Sequence, residues 1–142
     1  MPKSLTFETG LVEYDINGAV SVKFNPADET FTQKLYEAFK TLDKLQTEFA
    51  DGDDFSKFIE LDKEMRAIID DLLGEGVSDA LFENMNCYAL AGGLPAWVNL
   101  VMAILYEVTE AYEREFGKTD ARVKEHRDKY ESMLSKYRKG SK

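Results

Sequence analysis

The chain predicts an α+β fold that is mostly α: a small N-terminal antiparallel β-hairpin packed on a bundle of about four to five helices. Three observations predict it. Val12, Tyr14 and Ile16 alternate with polar residues before Asn17-Gly18, and Val20, Val22 and Phe24 do so after it. Apolar residues then recur at steps of three and four through most of the remaining chain. Only three prolines and nine glycines interrupt the 142 residues, so the helices should be long. With 44% hydrophobic and 32% charged residues, the composition is that of a globular protein rather than a disordered one. The length suits a single domain over 1–142: a hairpin region at 1–25, a helical core at 26–117, and a basic C-terminal helix at 118–142 as its most loosely attached part.

The hairpin register follows from its two faces. A two-residue Asn17-Gly18 loop would set Tyr14 against Ser21 and Val12 against Lys23, mixing the faces. A three-residue loop, Ile16-Asn17-Gly18 with Gly18 left-handed, pairs Tyr14 with Val20 and Val12 with Val22 and keeps one apolar face. That register is preferred. An earlier strand around residues 5–7 is plausible, with Gly10 as a break or bulge. A lone hairpin is marginal in water, so helices must cover one face.

Asn25-Pro26 ends the sheet, and Asp28 is a candidate N-cap or first-turn acid. Phe31, Leu35, Phe39, Leu42, Leu45 and Phe49 form the stripe of the first helix. Ala50-Asp51-Gly52-Asp53 reads as a turn, with Asp53 or Asp54 capping a second helix. The buried face of that helix is expected at Phe55, Phe58, Ile59, Met65, Ile68, Ile69, Leu72 and Leu73, with Gly74 as its stop. Ser78 is a candidate cap for a short helix through Leu81-Phe82, and residues 87–93 could continue helical or bend at Gly92-Gly93.

Pro95 fits the first turn of the most apolar helix, with Trp97, Leu100, Val101, Ile104, Leu105, Val108, Tyr112 and Phe116. Being the most apolar, it is expected to be the central one, and Gly117 ends it. Thr119 or Asp120 starts a last, highly charged helix with a thinner stripe at Val123, Tyr130, Met133, Leu134 and Tyr137.

Charge is unevenly distributed. Residues 118–142 hold nine basic groups and four acids, whereas the other 117 residues hold nine basic groups and 23 acids. An acidic body disfavours nucleic acid and anionic membranes as partners. The basic end is expected to dock on its own acidic body or on an acidic partner. No apolar run is long enough to span a bilayer, and the first residues lack a signal core, so a cytoplasmic location is expected.

Chemistry-bearing motifs are scarce. No nucleophile elbow, phosphate loop, dinucleotide fingerprint or metal-ligand spacing occurs, so no catalytic residue, cofactor or metal is assigned. His126, between Glu125 and Arg127, reads as a solvated helix histidine, and Cys87 as a packed thiol. Asp51-Gly52-Asp53-Asp54 lacks the ligand alternation of a calcium loop. Asp70 and Asp71 point about 100° apart on a helix and read as a solvated face.

One arrangement is more specific. Ile69-Asp70-Asp71-Leu72-Leu73-Gly74-Glu75-Gly76, then Leu81-Phe82, is an acidic helix that stops at a Gly-x-Gly break and restarts. It is preceded by the Asn17-Gly18 hairpin, Phe24-Asn25-Pro26-Ala27-Asp28 and a long helix, and followed by an apolar helix and a charged tail. Over roughly residues 11 to 117 this order resembles the tail assembly chaperones of long-tailed bacteriophages, especially phages and prophages of Gram-positive hosts. Members often carry Phe where this chain has Leu73, a departure that keeps the apolar contact.

The resemblance implies a non-enzymatic protein of the host bacterial cytoplasm, absent from the mature virion. Such proteins coat the helical tape measure protein, keep it soluble and help tail tube subunits assemble around it. A longer form made by ribosomal frameshifting, over Lys139-Gly140-Ser141-Lys142 here, would bring in the major tail protein as a further partner. The partner-binding residues expected are Trp97, Leu100, Val101, Ile104 and Leu105, with Leu72, Leu73 and Phe82 as the adjoining wall. All eight also have core packing as an explanation. The alternative function is a small structural or adaptor protein that self-associates into helical homo-oligomers.

Overall fold

Turn chemistry sets the start of the fold. In the computed structural model, which describes residues 1–49 and 56–138, strands β1 (Val12–Ile16) and β2 (Val20–Phe24) form the expected antiparallel hairpin. Its loop has three residues, as anticipated, but lies one residue further along, at Asn17-Gly18-Ala19. Ile16 therefore pairs with Val20, Tyr14 with Val22 and Val12 with Phe24. Asn17 supplies the reason. It adopts φ +56° beside Gly18 at +69°, and the Ala19 N–H closes on the Ile16 carbonyl at 3.0 Å. A turn with both central residues left-handed suits Asn-Gly and leaves Ile16 free to pair on the apolar face.

The earlier strand does not form. Residues 1–11 lie outside any regular element. Gly10 has φ +74°, and a Cβ there would sit 2.6 Å from Asn25 Nδ2, which donates to the Thr9 carbonyl at 3.0 Å. The chain thus turns away before it can pair with its own sheet.

Helix α1 (Glu29–Phe49) is capped by Asp28, whose Oδ1 accepts the Thr30 N–H at 3.0 Å. Phe31, Leu35, Phe39 and Leu42 are buried at the expected helical spacing. Tyr14, Phe24 and Phe31 stack in sequence, with centroids 4.6 and 4.1 Å apart, and so fasten the hairpin to α1. Helix α2 (Ser56–Leu73) buries Leu61, Met65 and Ile69. Here Ile59, expected inside, is 66% exposed, and Leu61 takes its place. Steps of four group 61 with 65 and 69, whereas 59 points about 120° away from 65. Phe58, Ile68, Leu72 and Leu73 are half-buried beside that face. The expected turn at 50–53, the Asp53 or Asp54 cap and Phe55 lie outside the described residues.

Gly74 closes α2 through its N–H to the Asp70 carbonyl at 2.7 Å, and α3 (Val77–Phe82) follows. Ser78 is not its cap. The residue lies inside the helix, and its own N–H donates to Asp70 Oδ1 at 2.8 Å, so a carboxylate from α2 serves the free amide. Gly92-Gly93, both left-handed, bend the chain into a second ribbon, β3 (Leu90–Ala91) against β4 (Leu94–Pro95). Pro95 stands immediately before α4 (Ala96–Phe116), which buries nine side chains and occupies the centre of the core. Asp120 Oδ1 accepts the Arg122 N–H at 2.8 Å at the start of α5 (Ala121–Arg138). The architecture is α+β and mostly α, with five helices among the described residues.

Candidate partner-binding surface

The eight residues expected to bind a partner occupy three environments. Trp97, Val101, Ile104, Leu105 and Phe82 are buried in the core. Trp97 also donates through Nε1 to Gln46 Oε1 at 2.5 Å, tying α4 to α1. Leu72 is half-buried and lines a shallow groove between α1 and α2 with Ala38, Thr41 and Ile68. Leu73 and Leu100 are half-buried against the core. The eight therefore do not make one accessible wall. Apolar residues at every third and fourth position of α4 face inward, because hairpin, α1 and α5 surround it.

Two of the eight, Phe82 and Leu100, line a hollow of about 310 Å³ between the hairpin tip, α3 and α4. Ile16, Leu81, Phe82 and Leu100 form its apolar floor, and exposed Met85 stands at its rim. Ala91, Ala96 and Ala103 line another part of it, so a ligand backbone can come close there. Phe82 and Leu100 belong to the expected set. Leu81, Met85 and the alanines were not legible from spacing, because the hollow exists only where three separate elements meet.

One guanidinium holds the rim. Arg66 on α2 donates from Nε to Asp62 at 2.9 Å and from one terminal nitrogen to Asp79 at 2.8 Å. Its other terminal nitrogen donates to the carbonyls of Glu83 at 2.8 Å and Met85 at 2.5 Å. Burial opposes the charge on Arg66, but the bonds to Asp79 and Asp62 more than offset it and strengthen its protonation. Asp62 uses its second oxygen to accept the Cys87 N–H at 2.7 Å. The loop that presents Met85 is thus fastened to α2 at both ends. The Asp62/Arg66 spacing of four was visible in the sequence, but its loop partners were not.

His126 overturns its expected description. Far from solvated, it is buried between Tyr36, stacked at 5.7 Å, and Tyr112, edge-on at 4.2 Å. The Tyr36 hydroxyl bonds its Nδ1. Burial pushes the Tyr36 pKa up and the His126 pKa down, so the phenol donates to a neutral imidazole. Cys87 is a packed thiol as anticipated, pushed up to about 12 by burial and the neighbouring Asp62. The basic end docks on the chain's own acids: Lys136 on Asp43, and Arg127 on Glu113 at 2.7 Å.

Among the described residues no cluster of three His, Cys, Asp or Glu is placed to hold a metal, and no helix is long and apolar enough to cross a membrane. No family model, curated protein or solved structure matches the chain.

Proposed function

We propose that this protein is a tail assembly chaperone of a long-tailed phage, which binds the tape measure protein through the hollow between hairpin tip, α3 and α4. The observation that carries the reading is the composition of that hollow. An apolar floor of Ile16, Leu81, Phe82 and Leu100 with an exposed methionine at its rim suits the apolar stripe of an amphipathic helix. The order of hairpin, helix, Gly-x-Gly break and apolar helix supports the family reading. The net charge of −9 supports a solubilising role, because it would keep a complex with an aggregation-prone helix dispersed.

Co-expression with the large helix-rich protein encoded just downstream tests this. That protein should become soluble and co-purify with the chaperone. Met85→Asp with Leu100→Asp should abolish co-purification while circular dichroism stays native, since neither side chain is fully buried. If the downstream protein stays insoluble and this chain purifies alone, the chaperone reading falls. The adaptor reading is favoured by a different observation, the exposed apolar residues Leu5, Phe7 and Leu11 before the hairpin.

A further inference from the structure

The strongest mismatch in the molecule is its N-terminal arm. Leu5, Phe7 and Leu11 are 83, 76 and 54% exposed, yet their alternation with Thr6 and Glu8 is that of a half-buried strand. The hairpin beside it has the complementary deficiency. It is two-stranded, so β1 has a free edge, and β1 contributes no buried residue whereas β2 buries Val22 and Phe24. A two-stranded ribbon is marginal and an open edge invites a third strand. The arm cannot supply one to its own β1. It leads directly into that strand, and the Gly10 turn, held by Asn25 on the Thr9 carbonyl, directs it away.

We infer that the occupant of this edge is the arm of a second copy, each chain of a two-fold dimer laying residues 3–8 along its partner's β1. This does not rest on the chaperone reading. The pairing proposed is antiparallel, the more stable ladder per residue, and two-fold symmetry exchanges both arms at once. The side chains then select a register. Leu5 opposite Tyr14 and Phe7 opposite Val12 extend the apolar face of the hairpin, with Thr6 opposite Glu13 and Ser4 opposite Asp15. Sliding the arm by two residues toward Ile16 would set Glu8 opposite Glu13, a like-charge pair. Residues 3–8 carry Lys3 and Glu8, and in this register Lys3 stands opposite Ile16 and Glu8 opposite Leu11, so the arm sets no acid against the exposed Glu13 and Asp15. The exchange turns each two-stranded ribbon into a three-stranded sheet and covers the two most exposed large side chains of the arm after Met1.

Light scattering on the full chain over a range of concentrations is the first test, and it should report a dimer. Leu5→Asp with Phe7→Asp should weaken that dimer about 100-fold while leaving a folded monomer, because two large apolar side chains lose their burial. Cross-linking tests the register. Chains carrying Phe7→Cys, mixed with chains carrying Val12→Cys, should form a disulfide-linked heterodimer, whereas Phe7→Cys with Glu13→Cys should not. The native Cys87 is buried and stays silent. A wild-type monomer at every concentration would overturn the inference. So would a dimer indifferent to the arm substitutions, or one that depends on the arm but fails to link Phe7 to Val12.

Discussion

The two ends of this molecule behave in opposite ways to their composition. The last helix is its most polar, yet α5 is anchored by a buried histidine, two buried aliphatic residues and bonds to Asp43 on α1. The first eleven residues include four large apolar side chains, and these stand in solvent. Hydropathy therefore ranks neither end correctly. What holds a segment is whether complementary groups face it. α5 meets Tyr36, Tyr112 and Asp43; the arm is tied to the body by the Asn25 amide on the Thr9 carbonyl.

Substitutions can break this contrast at either end. The largest effect is expected at Val123, which is fully buried on the inner face of α5. Val123→Asp should cost about 3 kcal/mol or more, read by urea denaturation, because an unpaired charge enters the core. His126→Ala should cost about 2 kcal/mol, since it leaves the buried Tyr36 hydroxyl without its partner and opens space beside Tyr112. His126 also gives α5 a pH dependence. Its pKa is depressed below 6.5 by burial, with Glu125 and Glu29 opposing the shift and Lys129 assisting it. The unfolded chain therefore takes up the proton first, so the stability is complete above pH 6.5 and declines as pH falls below it. Denaturation midpoints between pH 7 and 5.5 should fall less steeply in His126→Gln than in the parent. The smallest effect is expected at the other end: Phe7→Asp should change the unfolding free energy of the dilute monomer by less than about 0.5 kcal/mol. A larger loss there would mean that the arm packs on its own chain and would remove the contrast.

Periodicity carried the fold a long way. The hairpin, the stripe of α1, the Gly74 stop and the central position of α4 were all legible, because each follows from local spacing and turn chemistry. The misplaced details share a different cause. Leu61 rather than Ile59 is buried because it shares the face of Met65 and Ile69, a phase obscured in the sequence by the apolar Phe58-Ile59 pair. Ser78 loses its capping role to Asp70, eight residues back, since the competing acceptor comes from another helix. The loop moves by one residue because Asn17, unlike most non-glycine residues, tolerates a left-handed backbone beside Gly18. Of the eight residues expected to face a partner, Phe82 and Leu100 line the hollow beside the hairpin tip, and the stripe of α4 is filled by its own neighbours.

The Arg66 fastening has a dynamic consequence. The Asp62 and Arg66 side chains together engage Asp79, Glu83, Met85 and Cys87, and Asp70 holds the Ser78 amide, so three side chains of α2 make the polar ties to α3 and the loop after it. Because these ties are shared along one face of α2, the segment should open as a unit, before the core around α4 does. The Ser78 and Cys87 amides, each donated to a carboxylate on α2, should then exchange their hydrogens with solvent at matched rates. In Arg66→Met those rates should rise together while the amides of α4 stay protected, and the Met85 rim would pass from a fixed wall to a gate.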